Sequence, residues 1–234
     1  MISFTIVISA VAISFLIALF WLAIINYSTN FLEWKNNNIF SLAIGGIAVV
    51  GIAGILEFIL LEDKYLFSSN ILETNHLLEN SLLFYVVIAA LIEESLKGIV
   101  IWWGIKKVVV KKAKDGMIIG MIIGLSFAVA ENGIYFATQI DSSSIGEVFN
   151  LIIARTIFSS IAHMVFSGIL GFFIARGGYC QRNLDKILLI LLGLFFSVLI
   201  HTIFNASVAI GASYWLPVVI IVMGGTGVLF ILRR

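Results

Sequence analysis

The chain has 234 residues, 61% hydrophobic and 12% charged, with a mean hydropathy of +1.14 and a formal net charge of +1. Soluble domains hold roughly 45–50% apolar and about 25% charged residues, so a water-soluble fold is excluded. A lone cysteine, Cys180, excludes an internal disulfide framework and a cysteine-based zinc site, while one proline and no alternating apolar pattern exclude an outer-membrane barrel.

Apolar runs near the ~20 residues that a spanning helix needs recur along the whole chain. They predict an all-α, polytopic membrane bundle of about seven helices, at 2–26, 39–61, 81–105, 116–138, 148–175, 187–209 and 213–232. The first run lacks a basic start and outlasts the apolar stretch of a cleaved signal, so it reads as a permanent span. No linker, repeat or low-complexity tract divides the chain, which is expected to form one membrane domain over 1–234.

The third run carries Glu93, Glu94 and Lys97 in its middle. Each charge at the bilayer centre costs about 2.5–3.5 kcal/mol on insertion scales, so three together must be paired, hydrated or used. Glu93 and Lys97 share a helical face and can pair, which accounts for one glutamate and leaves the other. The fourth run holds Phe127, Glu131 and Asn132, behind a stripe of Gly116, Gly120, Gly124 and Ala128 suited to close helix packing. In the fifth, Arg155, Ser159, Ser160 and His163 interrupt the apolar pattern; Arg155 either snorkels or balances the acids. The sixth places His201 and Asn205 on one face.

Charge in the connecting segments predicts the topology. Lys106, Lys107, Lys111, Lys112 and Lys114 follow the third run, Arg176, Arg182 and Lys186 follow the fifth, and Arg233 and Arg234 close the chain. The positive-inside bias puts these segments in the cytoplasm, the N-terminus outside, and the acidic 62–80 segment outside. A lysine run beside a span is a topology signal, and no nucleic-acid partner is expected.

Glu93, Glu131, His163 and His201 fall at comparable depth on four successive runs. Three carboxylates face Lys97 and Arg155, so a low-dielectric pocket must take up a proton or bind a cation. Carboxylates and imidazoles in a hydrated intramembrane cavity suit hydrolysis, because a carboxylate can deprotonate water and an imidazole can ligate or donate. The same residue types also mark ion pathways, so a proton- or ion-coupled transporter or channel is the alternative.

Glu93-Glu94-x-x-Lys97, Phe127-x-x-x-Glu131-Asn132, His163 and His201-x-x-x-Asn205 resemble the PrsW family of intramembrane proteases, within the superfamily of CAAX-processing and bacteriocin-processing proteases. The CAAX branch shows EExxxR and FxxxH. Here lysine comes one position earlier and Glu131 replaces the histidine, which favours the PrsW branch. The resemblance covers roughly 81–209, the expected catalytic core. It implies a multi-pass endopeptidase of the cell membrane acting on a membrane-associated protein or peptide, such as an anti-sigma factor. It further implies Glu93 as the base with Glu94 beside it, Asn205 at the oxyanion, and Glu131, His163 and His201 around the water or a metal. Lys97, Phe127, Asn132 and Arg155 support them. Two histidines and a carboxylate suit a catalytic zinc with one open position, and a metal-free glutamate mechanism would use the same residues.

Overall fold

The computed structural model describes residues 2–29, 36–68, 75–108, 110–139 and 145–209, and helices account for almost all of them. In chain order they are α1 (Ile2–Thr29), α2 (Asn36–Ser68), α3 (Asn75–Lys107), α4 (Ala113–Gln139), α5 (Ile145–Ile153), α6 (Ser160–Gly177) and α7 (Asn183–Ala209). A π-helical turn, Ala154–Ser159, joins α5 to α6, so these two act as one long element. Among the described residues, five elements are long and apolar enough to cross a membrane: Phe4–Tyr27, Asn38–Leu60, Ala113–Thr138, Val148–Gly177 and Asn183–Val208. The count differs from seven for two reasons. Helix α3 is long enough, but Glu93, Glu94 and Lys97 dilute its apolar run. The expected 213–232 span lies outside the described residues.

Lipid-facing apolar side chains ring the bundle, among them Phe4, Phe20, Phe58, Ile99 and Phe195. Polar groups turn inward instead, because hydrocarbon offers them no hydrogen-bond partner. Helix α4 is the hub; it packs against α1, α2, α3 and, most extensively, α6. The α4–α6 contact is made by the glycine stripe. A Cβ on Gly120 would run into the Ser167 backbone, and one on Gly124 into the carbonyl of His163 itself. The backbones therefore meet at a distance that no side chain would permit, and the helix that carries His163 is fixed against α4.

The helix ends agree with the sequence pattern. Gly116, at the start of α4, packs on Ala175 near the end of α6, and Tyr179 lies within electrostatic range of Asp115. The segments rich in Lys and Arg after α3 and after α6 thus share one end of the bundle. There Lys106 and Lys107 sit over the rings of Trp102 and Trp103, at 3.6 and 3.9 Å from the centroids, an interfacial arrangement of aromatic and cation.

Gly120→Leu is expected to force α4 from α6 and lower stability by about 1–3 kcal/mol or more, as overpacking does. Gly51→Ala, where an added Cβ meets nothing within 4 Å, should leave stability unchanged or raise it. Thermal unfolding of the two purified variants in detergent provides the comparison.

Candidate active site

The site is assembled from α3, α4, α6 and α7. Glu93, Glu94 and Lys97 lie within about one turn of α3, and all three are buried, with Lys97 and Glu94 at 0% exposure. The ammonium of Lys97 is the centre of the arrangement. Its Nζ donates to Glu93 Oε2 at 3.1 Å, to Glu94 Oε1 at 2.8 Å and to His163 Nδ1 at 3.0 Å. The ring of Phe127 closes a further side, 3.7 Å from Nζ to its centroid. No direction around this ammonium is left bare to lipid.

Hydrogen-bond logic fixes the histidines. A lysine ammonium has only donors, so His163 Nδ1 must accept and His163 Nε2 must carry the proton. That Nε2 meets Glu131 Oε2 at 3.0 Å, and Arg155 Nη2 binds the same carboxylate oxygen at 2.5 Å. Arg155 Nε donates to Asn132 Oδ1 at 3.1 Å, while Asn132 Nδ2 donates to Ser14 Oγ on α1 at 3.1 Å and to the Arg155 carbonyl at 3.0 Å. Arg155 also stacks on Tyr135, and it belongs to the π-helical turn, a distortion often found where a side chain must be re-aimed. Arg155 thus balances Glu131 and does not snorkel.

His201 is held in the same manner. Its Nδ1 pairs with Glu94 Oε1 at 2.9 Å, and Asn205 Nδ2 contacts its Nε2 at 3.0 Å. Phe166 stacks on the imidazole, with ring centroids 4.8 Å apart. Glu94 completes its shell through Ser197, whose single hydroxyl proton serves Glu94 Oε2 at 2.8 Å or the Phe166 carbonyl at 3.0 Å. Both Glu94 oxygens therefore have a donor within hydrogen-bond distance. Among the described residues Glu93 has only Lys97 within direct hydrogen-bond reach, and His201 Nε2 lies 3.9 Å from its Oε2.

Ligand atoms of Glu93, Glu94, His163 and His201 all lie within 4.8 Å of one another, and all four residues are buried. Two imidazoles and carboxylates are the donor set of a divalent ion such as zinc, so the residues present suit a metal in kind. This group of four keeps His163 and His201 of the expected ligand trio and lacks Glu131. Glu131 stands on the outer nitrogen of His163 and is engaged by Arg155, and Glu93 and Glu94 take its place beside the histidines. The reason is geometric: a histidine presents two nitrogens on opposite sides, and Glu131 lies behind the ring.

Three contributors were not singled out in the sequence. Ser197 precedes His201 by one helical turn, so its shared face was readable. Glu57, inside the second apolar run, was also readable as an isolated acid; its Oε1 is shut away with no hydrogen-bond partner among the described residues, within electrostatic range of Glu93 and Glu131. Ser14 carried no such signal. With Glu57 counted, four carboxylates face two cations, a formal −2. An apolar groove of about 380 Å³ opens beside the site between α3, α6 and α7, lined by Glu94, Gly98, Ile99, Trp102 and Leu170 among others.

Residues 33–231 match a family profile described as PrsW family intramembrane metalloprotease. The chain belongs to the PrsW family. Two curated relatives named Protease PrsW are similar to it. The one from Halalkalibacterium halodurans is 25% identical over 142 residues, covering 60% of this chain and 61% of that protein. The one from Shouchella clausii is 27% identical over 111 residues, 47% of each. The chain thus spans less than two thirds of either PrsW relative. No solved structure gives a significant match.

Removing Arg155 as Arg155→Met should strand the Glu131 charge and destabilise the protein by about 2–3 kcal/mol, somewhat less than for a fully buried pair. The double variant with Glu131→Gln should recover most of that loss. A thermal-unfolding cycle over the four proteins measures the coupling, and strict additivity would remove Arg155 from the role of counterion.

Proposed function

We propose that this chain is an intramembrane endopeptidase that hydrolyses a peptide bond of a membrane-associated protein. The observation that carries this reading is the meeting of Glu93, Glu94, His163 and His201 from three separate helices in one buried cluster. Membership of the PrsW family supports the same chemistry. An anti-sigma factor is the substrate class that the family resemblance favours.

Glu93 is the base. Its neighbour Glu94 is committed to Lys97, His201 and Ser197, whereas Glu93 keeps acceptor capacity for a water. The 3.9 Å between Glu93 Oε2 and His201 Nε2 exceeds a hydrogen bond, so Glu93 Oε2 keeps room for a water beside it. Glu93 takes the proton of that water as it attacks the scissile carbonyl, then delivers it to the leaving amine. Asn205 has two amide hydrogens, one on His201 and a second for the oxyanion. Arg155, Glu131 and Asn132 keep His163 in a single tautomer. A divalent ion held by Glu94, His163 and His201 would supply a bound water of pKa about 7 and a Lewis acid for the carbonyl. The apolar groove along α3 is the approach for the substrate's membrane segment, and Glu94 in its wall brings that segment to the depth of the site.

Glu93→Gln should lower cleavage of a co-expressed membrane substrate by about 10²–10⁴-fold with insertion and folding intact, since Gln cannot accept the proton. Glu94→Gln should cost stability, and should lower cleavage less than Glu93→Gln does. Near-normal cleavage by the Glu93 variant would transfer the base role elsewhere.

In the same reading, the C-terminus and the end rich in Lys and Arg are cytoplasmic, and the N-terminus is external. Cys180 is the only cysteine, lies at that end, and is partly exposed, so the unmodified protein reports on its own orientation. A membrane-impermeant maleimide should label Cys180 in inverted vesicles and leave it unlabelled in intact cells. The opposite pattern would invert the topology.

A further inference from the structure

His163 has one lone pair available inside the cluster, on Nδ1, and it points in the plane of the ring. The Lys97 ammonium sits on it at 3.0 Å. The same ammonium lies 2.8 Å from Glu94 Oε1 and 3.1 Å from Glu93 Oε2, so it touches three of the four residues of the buried Glu–His cluster. The other nitrogen of His163 is occupied by Glu131. A zinc ion bonds to imidazole nitrogen at about 2.0–2.1 Å along the lone pair. Any ion bound by His163 Nδ1 would therefore fall on the line already taken by Nζ. Two cations do not share that position.

We propose that the Lys97 ammonium is a resident cation at the metal position: it holds the metal-free site together and moves aside when a divalent ion enters. This rests on the metal-dependent form of the proposed function. The fold supplies a destination. Glu57 on α2 is in electrostatic range of Lys97, and its Oε1 is buried with no hydrogen-bond partner among the described residues. An ammonium displaced from the cluster would find an acidic oxygen without a hydrogen-bond partner there, Glu57 Oε1, keeping its charge compensated in the membrane. Lys97 is thus a positioning residue with two stations, Glu93–Glu94–His163 without metal and Glu57 with it.

The test is zinc binding to the purified full chain in detergent, by calorimetry after exhaustive chelation, together with the zinc-dependent rise in thermal unfolding temperature. Lys97→Met should bind zinc on the order of a hundred-fold more tightly than the parent, within the range set by one like charge at ~4 Å. It should also be much less stable without zinc and regain parental stability with it. Glu57→Gln should weaken zinc binding by about ten-fold in the parent, and this effect should shrink in the Lys97→Met background, where no ammonium needs a destination. Equal zinc affinity of Lys97→Met and the parent would overturn the proposal while leaving a metal enzyme intact. So would a Lys97→Met protein that stays unfolded in saturating zinc, or a Glu57 effect of the same size in both backgrounds. If neither parent nor Lys97→Met binds zinc, the proposal and the metal-dependent reading fall together, leaving Glu93 as the base of a metal-free enzyme.

Discussion

The structure depends on one buried ammonium. Lys97 has no exposed surface and is coordinated by two carboxylates, an imidazole and an aromatic face. A charge so placed is stable only when every partner is held, and each partner comes with its own supporting contacts: Ser197 for Glu94, Glu131 for His163, Arg155 for Glu131. Breaking a buried pair by removing one partner typically costs about 3–5 kcal/mol, so the network gives the bundle a strong preference for a single arrangement. Hydrocarbon packing alone would not, because apolar helices slide past one another at little cost.

Tight packing and polar satisfaction support each other here. The glycines of α4 let α6 approach until His163 stands beside α4, and the same approach brings Glu131 to the outer nitrogen of that ring. Across the ring, Nδ1 faces α3 and Nε2 faces α4. His163 is thus a bridge between two electrostatic groups that would otherwise be separate. Its single tautomer follows from the fixed charge of Lys97 on one side.

Much of this was legible in the sequence, for a physical reason. In a soluble protein Glu93 or His201 would be one polar residue among many; inside apolar runs each stands out. Helical spacing placed Glu93 with Lys97 and His201 with Asn205, and the four-residue repeat of small residues gave the α4 packing face. What could not be read was which nitrogen of His163 meets which partner, since that depends on helix rotation and not on spacing. The choice between Glu131 and the α3 glutamates as neighbours of the histidine pair turns on that detail. Ser14 and the π-helical turn at Arg155 were invisible for the same reason: tertiary contact creates them, and no local pattern announces them.

The internal pairing of α3 also bears on how the protein enters a membrane. Glu93, Glu94 and Lys97 lie within one turn of the same helix, and both ion pairs form inside that helix. As α3 leaves the translocation machinery, it can therefore neutralise part of its own charge before any neighbour has arrived. One ammonium shared by two carboxylates leaves one excess negative charge instead of three separate ones, which lowers an insertion cost of about 2.5–3.5 kcal/mol per charge. The remaining charge finds its partners only when α6 and α7 supply His163 and His201. Helix α3 should thus be the last element to settle in the bilayer, waiting on segments synthesised after it, and the site forms only when the whole bundle has.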